Sequence, residues 1–375
     1  MRYRKFGNTG LEISALSFGT MRLPTYDNQP FSPKIIEDEA IKMLRYAIDQ
    51  GVNYIDTAYP YHGEQSEVLV GKALKDGYRD KVYLATKCPL YKIKREEEFE
   101  EILEEQLKKL QVDCIDFYLL HAVNKSKWKD IVLKFDFISK LEKAKEQGKI
   151  KYIGFSFHDD YETFREIIDY YDKWDFCQIQ LNYIDVDNQA GIKGLKYAAE
   201  KGLGVIIMEP LLGGKLADPP VEVSKVLSPK KTPVEWALDF LWDLNGVSFL
   251  LSGMGTMDQI KDNINYADRS DKGMLLDEEK LMFEKAKFVY DNMALVPCTK
   301  CSYCMPCSFG LDIPKIYEAY NKTATSKFEA AKAMYEEIEI KADSCRKCKK
   351  CEKVCPQDIK TSEIMPKIHE AFQKA

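Results

Sequence analysis

Short apolar runs alternate with amphipathic ones along most of this chain, and no other feature narrows its fold as far. Candidate strands lie near residues 15–20, 53–56, 82–87, 115–121, 150–155, 177–182, 204–208 and 247–252. Helical patterns fill the gaps at about 35–49, 66–76, 95–110, 131–147, 161–171, 190–201 and 232–244, with one more at 256–265. Strands that alternate with helices pair in parallel, and eight such units predict an α/β fold, a (β/α)8 TIM barrel. An open doubly wound sheet would carry Gly-x-Gly-x-x-Gly after its first strand. Ser17-Phe18-Gly19-Thr20 is not that motif. Residues 3–6 and 11–13, around Gly7-Asn8-Thr9-Gly10, predict a small hairpin plugging one end of the barrel.

Chemistry-bearing residues close three successive strands. The run Val52-Asn53-Tyr54-Ile55-Asp56 ends on a carboxylate, with Tyr61 just past the turn at Pro60. The next strand ends at Lys87 and the one after it at His121. In a parallel barrel the C-terminal strand ends meet at one mouth, so the four residues are predicted to converge there. A lone tyrosine or histidine is usually a packing residue. A lysine aimed into a barrel is different, because its charge is costly without a partner.

These residues also carry a family resemblance. Gly51-Val52-Asn53-Tyr54-Ile55-Asp56-Thr57-Ala58 with Tyr61, Gly63, Ser66 and Glu67 resembles the aldo/keto reductase signature. Lys87 after Ala85-Thr86 and His121 after Leu119-Leu120 match the rest of that family's catalytic set. The resemblance covers residues 1–293 and implies an NAD(P)H-dependent oxidoreductase acting reversibly on a small carbonyl or alcohol. It makes Tyr61 the general acid/base, Lys87 the cation that lowers its pKa, Asp56 the carboxylate that keeps Lys87 charged, and His121 the group that orients the carbonyl oxygen.

The resemblance assigns cofactor positions less cleanly. Gly19, Thr20 and Met21 lie at the end of the first strand, and Asp56 faces the same mouth. Ser156 and Gln178 match positions that hold the nicotinamide carboxamide, although Phe157 stands where an asparagine is frequent. Met208 replaces an aromatic that often stacks on the nicotinamide ring. Leu211, Gly213 and Gly214 would line the pyrophosphate path; Gly253, Gly255, Gln259, Asp262 and Asn263 would take the adenosine end. Gln259 occupies a place where many relatives have an arginine for the 2′-phosphate of NADPH, which points to NADH; Lys261 is the nearest cation in sequence. Tyr59, His62, Trp128 and Phe157 suggest an aromatic-walled mouth without a charged anchor.

The remaining signal is in the cysteines. Eight of the 11 fall between Cys298 and Cys355, while Cys88, Cys114 and Cys177 are isolated and read as packing residues. Cys345-x2-Cys348-x2-Cys351-x3-Cys355-Pro356 has the ligand spacing of bacterial [4Fe–4S] ferredoxins. Cys298-x2-Cys301-x2-Cys304-x2-Cys307 is one residue shorter in its last gap and is followed by Ser308. Structural zinc prefers two well-separated Cys-x2-Cys pairs, so four close thiols per run favour iron–sulfur. The tail resembles the iron–sulfur subgroup of these reductases. Residues 294–375 are therefore expected to form an α-helical, ferredoxin-like extension with two [4Fe–4S] clusters. Charged helices at 314–341 separate the two runs. In two-cluster ferredoxins the fourth cysteine of each run serves the other run's cluster. That predicts one cluster on Cys298, Cys301, Cys304 and Cys355, and the other on Cys345, Cys348, Cys351 and Cys307.

A net charge of −5 argues against nucleic acid and anionic membranes as partners. No run is long enough to span a bilayer, and the first residues lack a signal peptide's apolar segment, so a cytoplasmic protein is expected. Nicotinamide passes two electrons together and a [4Fe–4S] centre one at a time, and no flavin motif bridges them. The clusters are thus structural or serve an outside one-electron carrier, with Arg346, Lys347, Lys349, Lys350 and Lys353 around the second run. Two other readings stay open, an electron-transfer protein and a redox sensor whose barrel only binds nucleotide.

Overall fold

Each strand pairs in parallel with the next along the chain, and the last returns to the first, which closes the ring. In the computed structural model, which describes residues 1–29, 31–293, 295–298, 303–325, 328–355 and 357–373, a hairpin of β1 (Tyr3–Lys5) and β2 (Glu12–Ser14) comes first. The barrel strands follow as β3 (Leu16–Gly19), β4 (Tyr54–Asp56), β5 (Tyr83–Cys88), β6 (Ile115–Val123), β7 (Ile150–Phe157), β8 (Phe176–Gln180), β9 (Gly204–Met208) and β10 (Phe249–Gly253). All eight expected strands are present, in a closed eight-stranded barrel.

Helices α1 (Glu37–Asp49), α2 (Ser66–Ala73), α3 (Glu98–Leu110), α4 (Phe137–Glu146), α5 (Tyr161–Tyr170), α6 (Gly191–Glu200), α7 (Pro233–Asp243) and α8 (Met257–Ala267) follow the strands in turn. Their starts are written in the sequence. Asp160 accepts the Thr163 N–H, Thr232 the Glu235 N–H and Thr256 the Gln259 N–H, each satisfying an otherwise orphaned donor of the first turn. Pro233 sits at the first turn of α7, where its missing N–H costs nothing.

Two apolar layers result. One lies between strands and helices; the other fills the barrel's N-terminal end with Tyr54, Phe117, Phe176 and Phe249. Phe6 of the hairpin enters that inner layer, its ring centre 5.3 Å from Phe117 and 5.2 Å from Phe249. A Cβ on Gly204 would come within 2.2 Å of the Phe6 ring, so the plug seats only over glycine. With this end filled by aromatic rings, the opposite mouth is left for chemistry.

Three local features depart from expectation. The helix expected over 131–147 is split: a π-helical turn at Trp128–Leu133 precedes α4, and Asp136, with φ 48°, separates them. β6 runs past His121 to Val123, with a register shift between Leu120 and Val123 and Ala122 at φ 53°. A helix at Thr361–Gln373, absent from the sequence reading, follows the last cysteine.

The chain divides into two compact units. One comprises residues 1–217 and 231–280, the other 218–230 and 281–375. Helix α9 (Asp277–Asn292) crosses that division in sequence. The second unit contains α10 (Ile313–Thr325), α11 (Phe328–Glu336) and α12 (Thr361–Gln373). Its own apolar core includes Leu311, Ile316, Tyr317, Tyr335, Ile368 and Phe372, with Tyr335 and Phe372 stacked at 4.2 Å. No helix among the described residues is long and apolar enough to cross a membrane.

Candidate active site and cluster clefts

The geometry at the barrel mouth is built around one ammonium. Lys87 lies in β5, is 1% exposed, and donates to Asp56 Oδ1 at 2.5 Å, to the Thr57 carbonyl at 2.8 Å and to Tyr61 Oη at 3.3 Å. The register explains the meeting, because Asp56 of β4 pairs with Ala85 of β5 and strand ends share one rim. Tyr61 reaches back from the turn after β4, its ring 4.9 Å from the Lys87 ammonium. The His121 ring stands nearly perpendicular to it at 6.3 Å. The β6 bulge at Ala122 is the kind of irregularity that re-aims a neighbouring side chain. The four residues expected to converge therefore do so.

Burial and charge set their protonation. Burial disfavours the charge on Lys87, but the facing Asp56 carboxylate holds its pKa above the ordinary lysine value. Burial raises Asp56 above the usual carboxylate range despite Lys87. His121 is pushed well below the ordinary imidazole value, first by burial and then by Lys87, Lys127 and His158, so it is neutral at pH 7. Tyr61 reverses the expectation from sequence. Its pKa is raised above 10, because burial outweighs the pull of Lys87 and Asp56 opposes that pull. The phenol keeps its proton through the neutral range.

A second network supports the ion pair. Glu67, fully buried, accepts from Thr86 Oγ1 at 2.7 Å and Gln106 Nε2 at 2.6 Å. Gln106 also donates to the Lys87 carbonyl at 3.1 Å and accepts from Tyr118 Oη at 2.7 Å. Thr20 donates to the Asp56 carbonyl at 3.0 Å, and Ser66 bridges Thr20 and Thr57. Gln106 and Tyr118 carried no signal in the sequence, since a buried amide and phenol look like any others until the fold pairs them.

The expected cofactor positions fall into groups. Gly19 pairs with Asp56 across β3 and β4, and with Gly253 of β10; Met21 lies half-buried in the turn beyond. Ser156 and Gln178 are buried on neighbouring strands, with Ser156 Oγ accepting the Ala122 N–H at 2.7 Å. Gln178 Nε2 meets Met208 Sδ at 3.5 Å, while its Oε1, like Asp56 Oδ2, is a buried acceptor with no partner. Two orphaned acceptors in a polar mouth fit the amide and hydroxyl donors of a nicotinamide riboside. Leu211 is half-buried, and Gly213 and Gly214 turn with φ 65° and 95°. Gln259 folds back so that Oε1 accepts the Gly255 N–H at 2.8 Å. Asp262 is exposed, and the buried Asn263 donates to Ser252 at 3.3 Å.

The aromatic wall is not as expected. Phe157 packs outward on Phe155 and Phe164, and Tyr59 is bound to Glu105 and Lys92. His62 and Trp128 are buried rather than lining an open mouth. Sequence reading missed Lys127, a half-buried cation whose Nζ donates to the Ala122 carbonyl at 2.8 Å. It lies in a lysine-rich stretch with Lys125 and Lys129, where nothing local sets one cation apart.

In the second unit the thiols gather around two clefts. Cys307, Cys345, Cys348 and Cys351 line one of about 310 Å³, together with Phe309 and Leu311. Cys298, Cys304, Cys351 and Cys355 line another of about 360 Å³. Cys301 and Pro356 lie outside the described residues. Four thiols lining one cleft match the donor number and type of a four-iron cluster, although among the described residues no three ligand side chains are drawn together closely enough to hold a metal ion as they stand. Cys88 and Cys177 are buried in the barrel unit and Cys114 half-buried, in keeping with packing.

Comparison with known proteins agrees with both halves. Residues 15–272 match the aldo/keto reductase family, and residues 297–360 match a 4Fe-4S dicluster domain. The chain is 30% identical over 284 residues to an L-galactose dehydrogenase of Arabidopsis thaliana, a match covering 70% of this chain and 86% of that one. An aldo-keto reductase from Bacillus halodurans, solved in its holo form, superposes with a TM-score of 0.63 at 25% identity, covering 76% of this chain and 96% of the other. A thermostable aldo-keto reductase solved with the inhibitor epalrestat gives 0.62 at 26% identity, covering 76% and 100%. With its closed barrel and the match over residues 15–272, the chain belongs to the aldo/keto reductase family and carries a 4Fe-4S ferredoxin-like domain after the barrel in sequence.

Proposed function

We propose that the barrel is an NAD(P)H-dependent reductase of small carbonyl compounds, working reversibly on the alcohols, with Tyr61 as its general acid/base. The observation that carries this reading is Lys87 Nζ shared between Asp56 and Tyr61 at the barrel mouth. Gln178 Oε1 and Ser156 would hold the carboxamide of a nicotinamide bound there, which supplies the hydride. As negative charge builds on the carbonyl oxygen, Tyr61 Oη gives it a proton, and the alcohol leaves with one hydride and one proton gained. Lys87 then faces a phenolate, whose charge it stabilises until solvent returns the proton. His121, being neutral, donates an N–H to the same oxygen and fixes its direction. Gln259 offers no cation to a 2′-phosphate and Lys261 is paired with Asp258 at 3.5 Å, which favours NADH.

For the extension we propose two [4Fe–4S] clusters with crossed ligands. Cys307, from the first run, shares a cleft with Cys345, Cys348 and Cys351, and Cys355 shares the other with Cys298 and Cys304, while Cys351 lines both. Cys348 is exposed among Arg346, Lys347 and Lys349, which suits a one-electron carrier as partner. The clusters then exchange electrons outside the hydride path or stabilise the extension. A cluster-bearing reductase of this kind belongs in the cytoplasm.

Tyr61→Phe is expected to lower kcat for carbonyl reduction ~10²–10⁴-fold, the usual worth of general acid catalysis, while the dissociation constant of the nicotinamide stays unchanged. Retention of more than about a third of wild-type kcat on a verified substrate would assign the acid to another residue. The pH profile follows from the raised Tyr61 and the depressed His121. The acid form of Tyr61 is full below a pKa lying above 10, so reduction should be flat from about pH 6 to 9. Alcohol oxidation needs the phenolate and should climb with pH over the same range; a reduction rate titrating near pH 7–8 would contradict the assignment. For the clusters, iron content and low-temperature EPR of anaerobically reconstituted Cys355→Ala should show a perturbed cluster on Cys298, Cys301 and Cys304. Perturbation confined to the cluster on Cys345, Cys348 and Cys351 would mean each run is self-contained.

A further inference from the structure

Lys127 brings to the barrel mouth a charge that no neighbouring acid answers. It follows β6 in a short helical turn, Lys125–Lys127, whose Asn124 cap accepts the Lys127 N–H at 2.9 Å. The next residue, Trp128, is buried, with its ring edge-on to Tyr170 at 5.3 Å. With the backbone held on both sides, the side chain folds back on its own strand, and Nζ donates to the Ala122 carbonyl at 2.8 Å. Lys125 and Lys129 are exposed, whereas Lys127 is half-buried. Burial lowers its pKa from the ordinary lysine value, and no carboxylate raises it back. The acids of the adjoining loops are engaged elsewhere. Asp159 accepts the Lys125 and Asp160 N–H groups, and Asp185 accepts from Gln180. Among the described residues no carboxylate lies within ion-pairing distance of Lys127 Nζ.

The place of this ammonium relative to the reacting groups sets what it can bind. Ala122 directly follows His121, and consecutive Cα atoms stand about 3.8 Å apart. The Lys127 charge is felt at His121, where it helps push the imidazole down, and again at His158, the exposed residue after β7. Glu209, whose charge is felt at Tyr61, follows β9 instead, and its Oε2 would lie 3.6 Å from a Cβ on Gly213. The rim at β6 and β7 is thus the side where an unpaired positive charge stands, within a small molecule's length of the Tyr61 and His121 pair. Capping the carbonyl at the β6 bulge takes one N–H and no charge. An ammonium has three N–H donors, so two are left, with the charge, for a ligand.

We propose that Lys127 is a substrate anchor: the carbonyl compounds reduced here carry an anionic group, carboxylate or phosphate, a few bonds from the carbonyl carbon, and the ammonium pairs with it. The proposal rests on the reductase reading above. It gives the mouth the charged anchor that the sequence reading did not find. A lysine is a compact point charge and suits either kind of anion. The pair is a charge-assisted hydrogen bond at a partly desolvated site, where such bonds are stronger than neutral ones. Lys127 then decides which carbonyl compound is held and takes no part in moving the hydride or the proton.

The test compares matched aldehydes, using full-length, anaerobically purified protein with NADH and with NADPH. The pairs are succinic semialdehyde against its methyl ester, and glyceraldehyde phosphate against glyceraldehyde. Wild type should prefer the anionic member of at least one pair, and which pair it is tells carboxylate from phosphate. In Lys127→Met the ratio of kcat/KM, anionic over neutral, should fall roughly tenfold to a hundredfold, mainly through KM. Lys127→Gln, which offers N–H donors without the charge, should lose the preference as well, and Lys127→Arg should restore part of it. A lysine that merely braced the Ala122 turn would slow both members alike. An unmoved ratio would therefore overturn the proposal, as would wild-type protein that favours the neutral member of both pairs. Wild-type protein that oxidises neither nicotinamide with any of these aldehydes would count against the reductase reading itself, a result distinct from an unmoved ratio.

Discussion

The contact between the Lys87 ammonium and the Asp56 carboxylate, both 1% exposed, governs the rest of the mouth. Two charges taken out of water pay a large desolvation cost, recovered only where geometry and added hydrogen bonds are good. Here the recovery is visible. Lys87 also reaches the Thr57 carbonyl and Tyr61, and Thr20 steadies the Asp56 backbone. Removing either partner would leave the other charge buried and alone, so the pair constrains the strands as much as it serves the chemistry. Tyr61 is tuned by the outcome. Burial holds its proton on against the pull of the adjacent ammonium; in the proposed reaction that ammonium would stabilise the phenolate left after proton transfer.

The barrel's asymmetry directs that chemistry to one end. Phe6 and the inner aromatic layer fill the N-terminal end, and Gly204 leaves the clearance that lets the plug seat. The other end collects polar groups from β3 to β10. Some of these groups have no hydrogen-bond partner within the chain, namely Asp56 Oδ2 and Gln178 Oε1. Buried polar atoms normally find partners, so unpaired acceptors at this mouth suit a ligand that brings donors there.

Much of this was legible before the fold was seen. The eight strands and the residues at three strand ends were readable because they rest on periodicity and local order. The meeting of Asp56, Tyr61, Lys87 and His121 follows from parallel strands sharing a rim. The sign of the Tyr61 shift was not readable, since it depends on how much burial surrounds the phenol, a property of the packed site and not of the Tyr–Lys pairing. Phe157 was misplaced for a simpler reason: on a strand its side chain faces opposite to Ser156, toward the helices. The bulge at Ala122, the π-helical turn at Trp128–Leu133 and the break at Asp136 depend on tertiary fit that no local propensity records. Lys127 carries no local pattern that distinguishes it from the chain's other cations, and only the fold half-buries it.

The extension adds a 4Fe-4S ferredoxin-like domain to a reductase barrel, and in the proposed function the two chemistries are separate: hydride would go directly from nicotinamide to carbon at the mouth, without passing through a cluster. The most direct measurement is anaerobic reduction of an accepted aldehyde or ketone with nicotinamide deuterated at the transferred position, the product analysed by mass spectrometry and NMR. The account predicts deuterium on the former carbonyl carbon, at close to one atom per molecule. A product carrying solvent hydrogen there, with label lost to water, would contradict it and place the clusters in the path of the electrons.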